Sequence, residues 1–314
     1  MIVTTPPHTH YDLCKLSLEA GKHVVVEKPF TPSQREANQL ITLAKKEQRL
    51  LTVYQNRRWD SDFLALSRYI EEGYLGRIVE FETHFDRHRP NPPSESWKTQ
   101  PSPGTGATYD LGVHLLDQIV TLFGLPKSIT GFLRTQRLGA PTDVHDSFTI
   151  LLHYDNGLVA TAKAGVVGFL PSQLRFRVLG EKGSYVKDGF DSQEKSLKEG
   201  LRPGDEEYSK IGAERQWELN TDDVLESFVP WTNHNEYAME DGLTCWQRSG
   251  TFIPQKENYL SFYQQFAQAL AGQGEVPVQA EEARDVIRLI ELATLSSEKW
   301  MTLDWDKKYE EIDW

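Results

Sequence analysis

Short apolar runs alternate with segments of helical periodicity at the start of the chain. Met1–Thr5 is apolar and β-branched and stops at Pro6 and Pro7, the pattern of a strand buried on both faces. Tyr11–Ala20 puts Leu13, Leu16 and Leu18 on one helical face and ends at Gly21, which suits a helix C-terminus. His23–Val26 predicts a second apolar strand, ended by Pro29. Ser33 and Glu36 make an S-x-x-E start for a helix running to about Glu47, and Leu50–Tyr54 predicts a third strand. Strands alternating with helices at this rhythm imply βαβ units and a parallel sheet.

After residue 75 the rhythm changes. Arg77–Phe85 predicts a strand, Pro90–Pro103 a loop and Ala107–Phe123 a single helix. Asp146–Tyr154, Leu158–Ala164 and Leu174–Leu179 predict strands, with Asp155-Asn156-Gly157 as a hairpin turn between the first two. A mostly antiparallel sheet is therefore expected from Ser128 to about Lys187. Glu194–Asp223, charged and broken by Gly and Pro, predicts surface helix or loop, and Tyr259–Ala271 and Ala280–Glu298 predict two amphipathic helices.

Composition narrows the class. The 314 residues leave room for two domains, and no run approaches the roughly 18 apolar residues of a membrane span. The opening MIVTTPPHTHYDL has neither the basic region nor the apolar stretch of a signal peptide. A net charge of -12 argues against nucleic acid or an anionic membrane as partner, since both require a clustered basic face. Cys14 and Cys245 lie far apart with no CxxC spacing, which fits a reduced, cytoplasmic setting with no disulfide framework and no metal site.

Several segments can carry chemistry. Glu27-Lys28-Pro29 ends a predicted central strand, and ligands of open α/β sheets bind at that edge; the lysine is either a solvated cap or an ammonium placed at a cleft. In Tyr109-Asp110-Leu111-Gly112-Val113-His114, Asp110 and His114 are four apart on the expected helix. The pair is either a core histidine bonded to its helical neighbour, or a base whose tautomer the aspartate holds. Thr4, Thr5, Pro6, His8, Thr9 and His10 join a strand end to a helix start, where hydroxyls and N–H groups suit phosphate or ribose, and where Thr9 can also serve as a simple cap. Arg57, Arg58 and Trp59 either clamp a nucleotide or pack as an interdomain hinge, with Asp60 as an N-cap. Arg87-His88-Arg89 faces a polyhydroxyl ligand or is a solvated loop.

No G-x-G-x-x-G occurs in the chain; Gly104-Thr105-Gly106 comes closest but lacks the third glycine and the preceding strand. Yet the order TTPPHTHY, AGKHVVVEKPF, QNRRWDSDF, YDLGVHLLDQ, with HFDRHRP and the late ENYLSFYQQFAQAL and PVQAEEARDVIRLIELA, resembles the glucose–fructose oxidoreductase, inositol dehydrogenase and MocA family. The likeness runs from Met1 to about Asp304 and is nearest the scyllo-inositol dehydrogenase branch.

The resemblance implies an α/β chain with an incomplete Rossmann-type dinucleotide-binding domain, of which residues 1–58 are the C-terminal part. Residues 59–314 are then the substrate and oligomerisation domain, with a large, mostly antiparallel open sheet and late helices packing back on the first domain. Two opening βαβ units, roughly 60 residues, are expected to be lacking, so this chain by itself is expected to hold a nicotinamide weakly or not at all. Also implied are NAD or NADP as cofactor, a cyclic polyol or sugar as substrate, and homo-oligomers, dimers or tetramers.

Residue by residue, Lys28, Asp110 and His114 take the catalytic positions. Thr4, Thr5, Pro6, His8, His10, Glu27, Lys28, Arg58 and Trp59 fall on cofactor loops, and Arg87, Arg89 and Tyr109 join the catalytic trio toward substrate. His114 is then the general base, Asp110 its orienting partner, and Lys28 the group that stabilises an alkoxide. The loops Arg87–Arg89 and Leu170–Gln173 would separate an inositol from a sugar or pyranose substrate. The contrasting reading is a non-catalytic remnant that keeps the sheet but not the cofactor. A plain binding module is disfavoured by the joint presence of Lys28, Asp110 and His114.

Overall fold

The structure, a computed structural model, describes residues 1–91, 101–140, 143–170, 172–208 and 258–312, together with the backbone of 216–221, 233–238 and 244–251. The apolar runs at the front form the parallel strands β1 (Ile2–Val3), β2 (Val24–Glu27) and β3 (Leu51–Tyr54), in that spatial order. Helix α1 (His10–Glu19) connects the first two strands and α2 (Gln34–Lys46) the second and third. Ser33 accepts a hydrogen bond from the N–H of Glu36, so the expected helix start is realised. Thr9 precedes α1 but does not cap it: its hydroxyl donates to Pro6 O instead.

The second layer system begins with α3 (Ser61–Glu71) and β4 (Ile78–His84), followed by α4 (Val113–Phe123). Four strands follow α4: β5 (Ser128–Arg134), β6 (Ser147–His153), β7 (Val159–Ala164) and β8 (Leu174–Gly180). Then come β9 (Gly183–Asp188), α5 (Gln193–Lys198), β10 (Gln216–Thr221), β11 (Asn233–Ala238) and β12 (Thr244–Thr251). Helices α6 (Tyr259–Leu270) and α7 (Ala280–Lys299) and a short β13 (Leu303–Asp304) complete the described chain. The sheet order is β11-β12-β10-β9-β8-β4-β7-β6-β5-β13, antiparallel throughout except where β4 runs parallel to β7. The expected large, mostly antiparallel sheet is present. Part of Glu194–Asp223 departs from the expectation of surface helix or loop: Gln216–Thr221 is a strand held between β9 and β12.

Two cores result. One gathers Val24–Val26, Leu40, Val53 and Phe30 around the parallel sheet, and the other lies between the large sheet and α3, α4 and α7. Phe262 of α6 and Ala283 and Ile287 of α7 belong to the core of the first unit. The same α7 gives Val286, Leu289, Ile290 and Ala293 to the other core. Gly131 lets it approach: a Cβ there would stand 2.1 Å from Ala293 O, and the Gly131 N–H donates to Ser296 Oγ at 2.9 Å. Among the described residues no helix is long and apolar enough to cross a membrane.

Candidate active site

In an open parallel sheet the strand carboxyl ends and their loops make the ligand edge. Here the loops after β1 and β2 bring Thr5, Pro7, Glu27 and Lys28 to the wall of a cavity of about 740 Å³. That volume is in the range of small-molecule sites, roughly 300–1,000 Å³. The opposite wall comes from the segment after β4 (Arg87, Arg89), the turn before α4 (Tyr109, Asp110) and the loop between β5 and β6 (Arg137, His145).

The loops are tied to each other. His10 is fully buried with one ring nitrogen 2.8 Å from Pro29 O and the other 2.8 Å from Thr5 O, so a single side chain fixes both first-unit loops. It does not line the cavity, where a cofactor contact was expected of it. The Lys28–Pro29 peptide is cis. Tyr109 donates its hydroxyl to Pro32 O at 2.8 Å, joining the two units across the cavity floor. Gly104, at φ +77°, passes so close that an added Cβ would meet Pro7 Cβ at 3.0 Å. The loop that most resembled a phosphate-binding glycine turn thus serves as a wall of this cavity.

Lys28 is the centre of the geometry. Its ammonium donates to Asp110 O at 2.8 Å and to Asp110 Oδ1 at 3.1 Å. The helix predicted as continuous from Ala107 begins instead with a π-turn, Thr108–Gly112, and regular α4 starts at Val113. Such wide turns are frequent at functional sites because they re-aim backbone and side chains. The expected Asp110–His114 partnership is not formed: the carboxylate lies on Lys28, while His114 Nδ1 is buried with no hydrogen-bond partner. His114 sits behind the cavity wall, edge-on to Phe85 with ring centroids 6.3 Å apart. Burial, and then the positive charges of Lys28, Arg57, Arg175 and Arg87, hold its pKa well below the ordinary histidine value.

Other expected contacts go elsewhere. Arg58 grips Asp117 through Nε at 2.8 Å and Nη2 at 2.7 Å and reaches Glu282 at 2.8 Å, while Trp59 packs on Phe262. Neither lines the cavity; Arg58 ties this turn to α4 and α7, and Trp59 ties it to α6. Asp60 occupies the N-cap position of α3, but its carboxylate accepts from Tyr259 Oη at 2.6 Å rather than from the helix. His8 and Thr4 are exposed and off the wall, and so is Leu170; Pro171 lies outside the described residues.

One feature was not anticipated from sequence. Arg175, fully buried in β8, stacks on Phe85 and Phe176 with its guanidinium carbon 4.4 and 3.9 Å from the ring centroids. It shares Asp62 with Lys187, at 3.7 and 3.1 Å. Burial would raise Asp62, but Lys187 and Arg175 hold it below the usual carboxylate range. Arg175 also donates to Gln118 Oε1 at 2.7 Å, and Gln118 donates to Arg57 O at 2.7 Å. This network supports Phe85, against which His114 rests. An arginine in LRFRVLG carries no sequence signal that separates it from an exposed strand charge.

A short parallel strand–helix unit whose strand-end loops meet a large open sheet across one cavity puts a small-molecule site at the edge where open α/β sheets bind their ligands. The oxidoreductase-family model for an NAD-binding Rossmann fold matches residues 1–55, and that for the C-terminal alpha/beta domain matches residues 68–304; the chain belongs to this Gfo/Idh/MocA family. It is 41% identical over 303 residues to the oxidoreductase YdgJ of Escherichia coli, across 96% of this chain and 80% of that protein. It is 34% identical to scyllo-inositol 2-dehydrogenase (NADP(+)) IolW of Bacillus subtilis, across 96% of this chain and 78% of that protein. The solved structure of the oxidoreductase YvaA from Bacillus subtilis superposes with a TM-score of 0.83 at 34% identity, covering 97% of this chain and 80% of that one.

Proposed function

We propose that the chain carries the catalytic machinery for hydride transfer between NAD or NADP and a CH–OH group of a cyclic polyol or sugar. The observation that supports it most is the Lys28 ammonium, fixed by two bonds to Asp110 in a cavity at the strand carboxyl ends. The inositol activity in the name of the Bacillus subtilis relative favours the polyol class.

The first-unit residues on the cavity wall, Thr5, Pro7 and Glu27, fit a nicotinamide, because they occupy the strand-end edge where this class holds one. The nicotinamide, when bound, supplies the hydride acceptor. His114 does not line the cavity; one turn beyond Asp110 and held neutral by burial and by its cationic surroundings, it is assigned the hydroxyl proton, which requires the substrate hydroxyl to reach past Asp110. Lys28 stabilises the oxygen as negative charge develops on it. Asp110 keeps the ammonium in place, so it acts on Lys28 rather than on the histidine as the sequence suggested.

Nicotinamide absorbance followed with NAD or NADP across a panel of cyclic polyols and sugars tests the reading. Turnover is expected only with cofactor high enough to offset the weak binding expected of a chain without G-x-G-x-x-G, and His114→Asn is expected to lower it about 10²- to 10⁴-fold. Because the folded histidine has a depressed pKa, it stays neutral as pH falls through its ordinary value of about 6.5, and the acid limb of kcat/KM lies below that value. Unchanged turnover in His114→Asn, or no turnover on the whole panel while the cofactor is shown to be bound, would overturn it.

A further inference from the structure

Beyond β4 the chain stays extended along the segment after β7. Phe85 N–H donates to Lys163 O at 3.0 Å, Arg87 N–H to Gly165 O at 2.8 Å and Arg89 N–H to Val166 O at 2.7 Å. Side chains two apart on such a strip share a face. Arg87 and Arg89 both reach the cavity wall, while His88 does not and stacks on Phe169 with ring centroids 4.7 Å apart. Arg137 joins them from the next loop, its Nε donating to Arg89 O at 2.8 Å.

Among the described residues, the wall's carboxylates are already engaged. Asp110 holds Lys28, Asp146 accepts the backbone N–H groups of Gln136 and Arg137, and Glu27 accepts the N–H of Lys28. Among the described residues Arg87, Arg89 and Arg137 form no ion pair. Arg87 is half-buried, its guanidinium 5.8 Å from the Phe190 ring centroid, and burial and then Arg89 push its pKa down from the usual arginine range. A partly desolvated cation facing like charge is costly unless an anion meets it. With the exposed Arg89 and the half-buried Arg137, three guanidinium groups line one cavity in a chain whose net charge is -12.

We propose that the substrate of this site is a polyhydroxyl compound bearing an anionic group, a carboxylate or a phosphate, and that Arg87, Arg89 and Arg137 receive that group. The planar guanidinium fork matches either oxyanion, whereas neutral hydroxyls use it poorly. This inference rests on the polyol reading and narrows it to acidic members of the class: sugar acids or phosphorylated polyols.

Isothermal titration of the full chain, with and without saturating NADPH, against D-glucuronate, an inositol monophosphate and neutral myo-inositol tests the inference. One anionic probe is expected to bind about tenfold or more tightly than myo-inositol, as one charge-assisted contact implies, and which one shows whether carboxylate or phosphate is the group received. The preference should fall with added salt, vanish in Arg87→Met, survive in part in Arg87→Lys and shrink in Arg89→Gln. Arg89 is exposed, so its variant reads the same effect if Arg87→Met does not fold. Equal affinity for all three probes, or a preference unchanged in both Arg87→Met and Arg89→Gln, overturns the anionic site while leaving the polyol reading intact. Binding of none of the three overturns both.

Discussion

Replacing Lys28 by Met separates chemistry from stability. The substitution keeps most of the aliphatic stem and removes the charge. The lost contacts are the bonds to Asp110 O and Oδ1, between side chains 19% and 35% exposed. Solvent screens such a pair, so the folding cost is about 1 kcal/mol or less. In a domain of this size that is a midpoint shift of roughly 2–4 °C. The rate is expected to suffer far more: losing one preorganised group that meets developing negative charge raises the barrier by about 2.7–4 kcal/mol, or about 10²- to 10³-fold. A second effect follows from charge alone. Lys28 is the foremost of the cations that depress His114, so without it the acid limb of the pH profile moves upward. Thermal unfolding beside kcat/KM measured across pH gives all three numbers. A kcat/KM within about threefold of wild type, or a rate loss matched by loss of folded protein, refutes the assignment of Lys28.

Two further predictions concern the frame around the site. Gly131→Ala puts a Cβ 2.1 Å from a helical carbonyl, so α7 must shift; urea unfolding should show a loss of about 3 kcal/mol, and an unchanged midpoint would mean that the helix does not approach this closely. Arg58→Met strands the buried Asp117 carboxylate at a cost of about 3–5 kcal/mol near neutral pH. Burial pushes Asp117 upward, so it takes a proton as pH falls once the arginine is gone, and the deficit should shrink in acid. A deficit independent of pH would contradict that account.

Most of the architecture was legible because it rests on periodicity and punctuation. The runs HVVVE and LTVY are apolar on both faces and became the parallel strands, and Asp155-Asn156-Gly157 made its turn between β6 and β7. Legibility failed where strands are polar. Asn233–Ala238 reads NHNEYA and has neither an apolar run nor a clean alternation, so sheet pairing rather than local preference makes it a strand.

The site was half legible in the same sense. Lys28 and His114 stood out by motif and position. That Asp110 turns to Lys28, that Arg58 grips Asp117 and that Arg175 is buried beneath Phe85 all depend on partners more than fifty residues away along the chain, beyond the reach of local spacing.

Helix α7 gives the cavity a mechanical character. Ala283 and Ile287 press into the core of the parallel sheet, and Val286, Leu289 and Ala293, interleaved along the same turns, press into the core of the large sheet. Both banks of the cavity are therefore bolted to one rigid rod. The distance between the Lys28 bank and the Arg87 bank is set by backbone contacts such as that at Gly131, not by the rotamers of the residues that face the ligand. A swing about the short connection near Trp59 would have to tear the rod from one core. The segments around Gly104–Gly106 and Arg137–Ala140 then complete the wall without setting the span between the banks.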